Sequence, residues 1–277
     1  MLTERINWID VAKCILIYLV FLGHIETADD PIYMIIFTFH MPAFFILSGY
    51  TFKEFVKMQP NIFFSGGGWF LITLFWASIF GYLWVKYVYK LNAYIQCSLL
   101  LLLAYLAFKI PYITHFFFQT YRLPFKLDSA LMASFFGTVG YYINSDNLIN
   151  KMLNNLFTSV LFVVLVYLFS FMLAIGSNIA DCRYYHPPLY ILAAFSGSLI
   201  IYLISIGIDK LRYASILRNI GRVTLPLFML EGIFLHYSRT LLSIPIGESM
   251  QGICSFTFAL CILCLEYPFA KLYYKIF

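Results

Sequence analysis

The chain has 277 residues, of which 62% are hydrophobic and 11% are charged. A soluble domain carries about 25% charged residues, so this composition excludes a water-soluble globular protein. Eighteen Lys and Arg residues outweigh thirteen Asp and Glu residues and give a net charge of +5. The basic residues lie in short segments between apolar runs, a pattern that indicates membrane topology and not a nucleic-acid-binding surface.

The apolar segments predict an all-α fold. Crossing ~30 Å of hydrocarbon as a helix takes roughly 20 apolar residues. The stretch 110–121 is short and interrupted, and we interpret it as a tilted or partial crossing. We therefore predict a polytopic transmembrane helical bundle of about nine or ten spans, in a single membrane-embedded domain over residues 1–277. The predicted helices are 8–25, 32–52, 69–88, 94–108, 129–143, 153–176, 188–207, 223–242 and 251–273.

Charges between the helices predict the orientation. The segment 208–222 is the richest in Lys and Arg, which places it and the C-terminus in the cytoplasm. The segment 25–31 is acidic, so we place it outside and the N-terminus inside, in a bacterial cytoplasmic membrane. Nine crossings from an inside start end outside. An even number requires a further crossing, either at 110–121 or near 53–68.

Six cysteines predict neither a disulfide framework nor a metal site. Most lie in apolar runs, where a thiol behaves as a small hydrophobic group. Cys261 and Cys264 form a C-x-x-C pair, but no second pair or nearby histidine completes a zinc or redox site. We expect no metal and no permanently bound cofactor. Asp10 interrupts the first apolar segment, which favours a retained helix over a cleaved signal peptide.

The first helix contains three ionisable residues, Asp10, Lys13 and His24. Such groups within spans are costly and are candidates for function. Eleven helical steps return to within about 20° of the start, so Lys13 and His24 share one stripe, roughly 16 Å apart. Asp10 can pair with Lys13, and His24 can act as a general base. Alternatively, Lys13 is a snorkelling anchor and His24 caps the helix at the interface.

The second helix contains FHMPAFFILSGY at residues 39–50. Pro42 removes a backbone donor and opens the helix one turn earlier, beside His40. This favours a site at His40, although a buried neutral histidine bonded to a neighbour is an equally ordinary structure. Ser48 and Gly49 allow close approach of another helix.

Together these residues resemble a known family. Asp10-x-x-Lys13, Gly23-His24 and FHMPAFFILSGY are similar to the opening of the acyltransferase 3 family, especially its fucose 4-O-acetylase-like branch. The segment Trp69-Phe70-Leu71, the stretch LPFKLDSALMASFFGTVGY and residues 221–236 resemble later helices of that family. The resemblance spans most of the chain and is most specific in the first fifty residues.

The resemblance implies an integral membrane O-acyltransferase. Such a protein moves an acetyl group from acetyl-CoA, a substrate and not a bound cofactor, to a sugar hydroxyl of a cell-surface or lipid-linked glycan. Its expected partners are acyl-CoA, a carbohydrate or glycolipid acceptor and the lipid bilayer, without nucleic acid. The site residues that we predict are catalytic His24, His40 and Asp10, donor-binding Lys13 and Trp69, and acceptor-binding Glu231 and Ser48.

Two departures from the family pattern leave alternatives open. Family members carry a further helix where only the short segment 57–68 stands here, so an internally deleted, inactive relative is one alternative. Glu231 stands where relatives often have a histidine, and His236 follows five residues later. A second alternative is a transporter or flippase that uses His24, His40 and Glu231 as a pathway. We find no related halves with matching broken helices, which disfavours the transporter.

Overall fold

The computed structural model describes residues 5–26, 29–51, 69–118, 123–231 and 248–276. These residues are mostly helical, and their only β-type pairing is an isolated bridge between Asn178 and Arg183. Residues 224–231 form a helical segment after α9. The helices are α1 (Asn7–Ile25), α2 (Pro31–Tyr50), α3 (Trp69–Leu83, continued by a π-helical turn at Trp84–Val88), α4 (Ala93–Phe118), α5 (Leu127–Ser145), α6 (Leu148–Asn154), α7 (Leu156–Ala174), α8 (Pro187–Asp209), α9 (Ala214–Arg222) and α10 (Glu248–Ile276).

Seven helices in the described part of the chain are long and apolar enough to span a membrane. They are α1, α2, α3 with its π-helical turn, α4, α7, α8 and α10. The predicted all-α polytopic bundle is therefore confirmed. The predicted helix at 223–242 is described only as far as residue 231.

Two predicted boundaries are wrong. Residues 94–108 and 110–118 form one helix, α4, with Pro111 inside it. A proline is tolerated there because it removes a single backbone hydrogen bond while the rest of the ladder continues. The segment 110–118 is thus the end of α4 and not a separate crossing. The predicted helix 153–176 is divided at Asn155, where α6 ends and α7 begins.

Helices α2 and α3 run in the same direction. Phe70, near the start of α3, packs on Phe45 with ring centroids 5.3 Å apart. Trp84, at the other end, donates a hydrogen bond of 3.1 Å to the Tyr142 hydroxyl, and that end of α5 is hydrogen-bonded to the carbonyl of Tyr50. The further crossing that we considered near 53–68 lies outside the described residues, as does the short segment 57–68.

The bundle has an interior and a lipid-facing layer. More than half of the span residues are buried in α1, α2 and α8, against 11% in α3, α4 and α7. Helix α1 packs on α2, α8, α9 and α10, and α2 packs on α5 and α8. Helices α1 and α2, which carry most of the predicted site residues, therefore lie at the centre of the bundle.

Glycines set the closest helix contacts in this interior. A side chain at Gly49 would collide with the backbone of Gly137, and one at Gly140 with the backbone of Ile46. Small residues allow such approach in membranes, where helices associate by close packing. The predicted packing role of Gly49 is confirmed.

We name the two ends of the bundle after the residues of α1 that lie there, His24 and Asp10. The His24 end contains the last turn of α1, the start of α2 and the loop 175–186. The Asp10 end contains the start of α1, the last turn of α2 and α9. Trp8 and Tyr50 meet at the Asp10 end with ring centroids 5.5 Å apart.

Candidate functional site

The centre of the candidate site is a histidine–carboxylate pair. His24, in the last turn of α1, donates through Nδ1 to Oε1 of Glu231. The Glu231 side chain is 7% exposed and that of His24 is 32% exposed. An ionised carboxylate only accepts hydrogen bonds, so Nδ1 carries the hydrogen and Nε2 keeps a free lone pair. The arrangement leaves Nε2 able to accept a proton, and the catalytic role of His24 remains a prediction.

An aromatic side chain of α2 joins this pair to the second histidine. The ring of Phe37 meets His24 edge-on at 5.9 Å and His40 at 4.9 Å. Tyr33, one turn earlier on the same face, stacks on Phe37 at 3.8 Å. A Cβ at Gly23 would lie 3.0 Å from the Phe37 ring. Glycine at position 23 therefore lets α2 approach His24 closely.

His40 has the properties of a buried neutral histidine. It is 2% exposed, and its Nδ1 donates a 2.7 Å hydrogen bond to the carbonyl of Ile36. A carbonyl only accepts, so Nδ1 carries the hydrogen and Nε2 is the acceptor nitrogen. The structure therefore brings His40 beside Phe37, and the same Phe37 ring also contacts His24. Its participation in chemistry remains a prediction.

Asp10 lies in a cluster of basic residues at the other end of α1. Its carboxylate is 2% exposed and accepts hydrogen bonds of 2.7 and 2.9 Å from Arg5. Nε of Arg222 lies 3.5 Å away. Asp10 is about 21 Å from His24 along α1, so the structure separates it from the histidine. Asp10 thus gathers Arg5 and Arg222 near Lys13, which lies one turn further along α1.

The backbone makes this cluster possible. A side chain at Gly221 would collide with the Asp10 carbonyl, so α9 and α1 touch at this point. The next residue, Arg222, consequently reaches the Asp10 carboxylate. Arg5 and Arg222 are half exposed at the Asp10 end.

Trp69 and Ser48 form no hydrogen bond or ring contact with the two histidines among the described residues. Trp69 begins α3 and packs edge-on against Phe70, which stacks on Phe228 at 4.8 Å. Ser48 lies eight residues after His40, or about 12 Å along α2. It lines a small pocket between α2, α3 and α5. The structure therefore does not bring Ser48 to the His24–Glu231 pair.

Several polar residues of the bundle are not among the predicted site residues. Glu266 in α10 is fully buried, and the signal for it is a carboxylate inside the apolar run CILCLEY. Asp181 and Arg183 form a 2.6 Å ion pair in the loop 175–186, and their charges act on Tyr33. At the same end, burial raises the pKa of Glu26 above its usual value, with a smaller effect in the same direction from Asp30 and an opposing one from a hydrogen bond to Ser255.

The helices and this site define an integral, multi-pass α-helical membrane protein with ionisable groups inside its bundle. Residues 56–265, about three quarters of the chain, match the family model Acyl_transf_3, an acyltransferase domain. The chain belongs to this acyltransferase 3 family and is therefore a membrane acyltransferase. Searches of curated proteins and of solved structures found no match. The matched range begins after the first helices, so family membership stands independently of the motifs around His24 and His40.

Proposed function

We propose that this protein transfers an acetyl group from acetyl-CoA to a sugar hydroxyl of a cell-surface or lipid-linked glycan. The observation that carries the proposal is the His24–Glu231 pair, whose histidine lies on the same helix as Asp10 and Lys13 at the basic end. One α-helix thereby links a general base to an anion-binding surface. The fucose 4-O-acetylase-like branch is part of this proposal.

The acceptor reacts at His24. Nε2 takes the proton of the sugar hydroxyl while Nδ1–H stays bound to Glu231, which stabilises the imidazolium that forms. The sugar oxygen attacks the thioester carbonyl, and the C–S bond then breaks. Glu231 orients the imidazole and neutralises its charge, so its proposed role changes from acceptor binding to support of the base.

The donor binds from the Asp10 end, which we place in the cytoplasm. Lys13, Arg5 and Arg222 supply positive charge for the phosphates of CoA, and the arginines add a bidentate fork that Lys13 lacks. Lys13 is roughly 16 Å from His24 along α1. The extended arm of CoA bridges a gap of this order, so the thioester reaches the histidine while the phosphates stay in the basic cluster.

The acceptor binds at the His24 end. Tyr33 and Phe37 present aromatic rings beside His24, and aromatic rings pack well against the C–H faces of sugars. Asp181 and Arg183 lie close to Tyr33 and offer hydrogen-bonding groups to sugar hydroxyls. A carbohydrate held there directs one hydroxyl towards Nε2.

The test is acetyl transfer by the purified protein in liposomes, with acetyl-CoA labelled in the acetyl group and glycan acceptors outside. We expect labelled ester on the glycan with the wild type and none with His24→Ala, which should insert and bind donor normally. Lys210→Ala, which removes an exposed cation, is the matched control and should remain active. Ester formation by His24→Ala at the wild-type rate would contradict the proposal. Movement of unmodified glycan across the bilayer without ester formation would favour a transporter.

A further inference from the structure

Glu266 is a buried carboxyl that the chemistry above does not use. It lies in the apolar span Cys254–Tyr273 of α10 and is 0% exposed. Neither of its carboxyl oxygens has a hydrogen-bond partner among the residues that the structure describes. Its oxygens are buried in an apolar span with no donor from the described residues, so the neutral acid is much less costly than the carboxylate. A leucine would serve packing better, which makes a structural role a poor explanation.

The position of Glu266 connects it to the His24–Glu231 pair. The charge of Glu231 acts on Glu266, so the two carboxyls are electrostatically coupled. Near the start of the span, the carbonyl of Phe256 accepts a 3.2 Å hydrogen bond from Tyr18 of α1. Glu266 lies about 15 Å further along α10, inside the bundle. The ionisable groups therefore follow one another from His24 through Glu231 to Glu266, from one end of the bundle inwards.

We propose that Glu266 is a proton-holding residue that acts with Glu231 and His24 during acyl transfer, an inference that rests on the function proposed above. Two coupled carboxyls in a dry site share one proton, because both cannot be ionised together at low cost. Glu231 is hydrogen-bonded by His24, whereas no donor among the described residues reaches Glu266, so the shared proton rests on Glu266.

The transfer then balances without an outside proton donor. The acceptor O–H bond and the thioester C–S bond break, a C–O bond forms, and the leaving thiolate takes up one proton. Nε2 of His24 takes the hydroxyl proton while Nδ1–H stays bound to Glu231. Glu266 gives up its proton towards the sulfur and is reprotonated by the Nε2 proton of the imidazolium, which restores the resting state of both residues. One proton is released at the acceptor and one is consumed at the donor.

The kinetic test compares Glu266→Gln with the wild type. Glutamine has the same shape and no charge but cannot release a proton, so we expect kcat to fall roughly tenfold or more with little change in the KM values. Glu266→Asp keeps a carboxyl and should recover part of the rate. Cys264→Ser, an exposed neighbour on the same helix, is the control and should behave as wild type. A wild-type kcat for Glu266→Gln would overturn the proposal.

A spectroscopic test does not depend on turnover. The infrared spectrum of the wild-type protein in liposomes should contain the carbonyl stretch of a protonated carboxylic acid that Glu266→Gln removes, and Glu266→Asp should shift it. A wild type that lacks ester formation but shows this band would refute the acetyltransferase and keep the proton-holding carboxyl. A wild type without the band would refute the proton-holding role, whatever its activity. If Glu266→Gln fails to insert, the band shift in Glu266→Asp decides in the same way.

Discussion

His24 and Glu231 are 207 residues apart in the sequence and are hydrogen-bonded to each other in the structure. The pair joins the end of α1 to the helical segment that follows α9. It fixes the tautomer of the imidazole, because the carboxylate takes the hydrogen on Nδ1. The basicity of Nε2 consequently depends on the charge of Glu231.

Glu231→Gln tests that dependence. Glutamine can still accept from Nδ1, but it no longer neutralises the imidazolium, so we expect kcat for acetyl transfer to fall about 10²-fold or more with a small change in KM. Steady-state kinetics in liposomes would measure this. Asp146→Asn, an exposed carboxylate at the end of α5, is the control. Equal kcat values for Glu231→Gln and Asp146→Asn would remove Glu231 from the mechanism.

Lys13 is predicted to act on the donor alone. Lys13→Ala should raise the apparent KM for acetyl-CoA about tenfold and leave kcat nearly unchanged, because one charged contact to phosphate contributes roughly 1.5–3 kcal/mol. Lys13→Arg should retain or lower that KM. Lys210→Ala removes the same charge from an exposed position and should have no effect. An unchanged donor KM in Lys13→Ala would show that the lysine is only a membrane anchor.

The sequence predicts which helices form the interior of this bundle better than it predicts which side chains pair between different elements. Hydropathy and length locate α1, α2 and α8 because each span must be apolar whatever it packs against. Helical spacing predicts that Asp10 can pair with Lys13, but it does not predict Arg5, from a non-helical residue, or Arg222, from another helix, at the same carboxylate. Such contacts depend on tertiary packing, here the meeting of Gly221 with Asp10, which no local pattern encodes.

The histidine site shows the same difference between residues that local sequence identifies and contacts that tertiary packing determines. An imidazole inside a span marks His24 as a candidate, and the predicted carboxylate Glu231 proves to be its partner. The sequence does not predict Glu266 or the place of Phe37 between two histidines, because those depend on how α10 and α2 rotate against their neighbours. Ser48 has the residue type of a substrate contact, but its position along α2 takes it away from His24.

Gly140 provides a test of the helix packing. A methyl group there would collide with the Ile46 backbone of α2, and overpacking of this kind costs roughly 1–3 kcal/mol. Gly140→Ala should therefore lower the apparent Tm in detergent. Gly207→Ala is the control: it lies in α8 with no atom within 4 Å of its added Cβ, so its better helix propensity should leave Tm unchanged or raise it. Equal Tm values for the two variants would contradict the close α2–α5 contact.

Glu26 gives the protein a pH-dependent stability at the His24 end. Burial raises the pKa of this carboxyl, so the folded state holds its proton more tightly than the unfolded state does. Stability from this group is fully present below the unfolded pKa and is lost as pH rises through the folded pKa. Glu26→Gln keeps the neutral form at every pH, and it should raise the apparent Tm at neutral pH while matching the wild type in acid.

Asp29→Asn is the matched control for that measurement, since it removes an exposed carboxylate three residues after Glu26, between α1 and α2. Its difference in Tm from the wild type should be small and the same at both pH values, because the Asp29 side chain is exposed to solvent in the folded state as it is in the unfolded state. The size of the Glu26→Gln effect is limited by the water that reaches part of this side chain, which screens the charge. A Glu26→Gln protein that is less stable than the wild type at neutral pH would mean that the ionised carboxylate is held by donors, and that its hydrogen bond with Ser255 outweighs its burial.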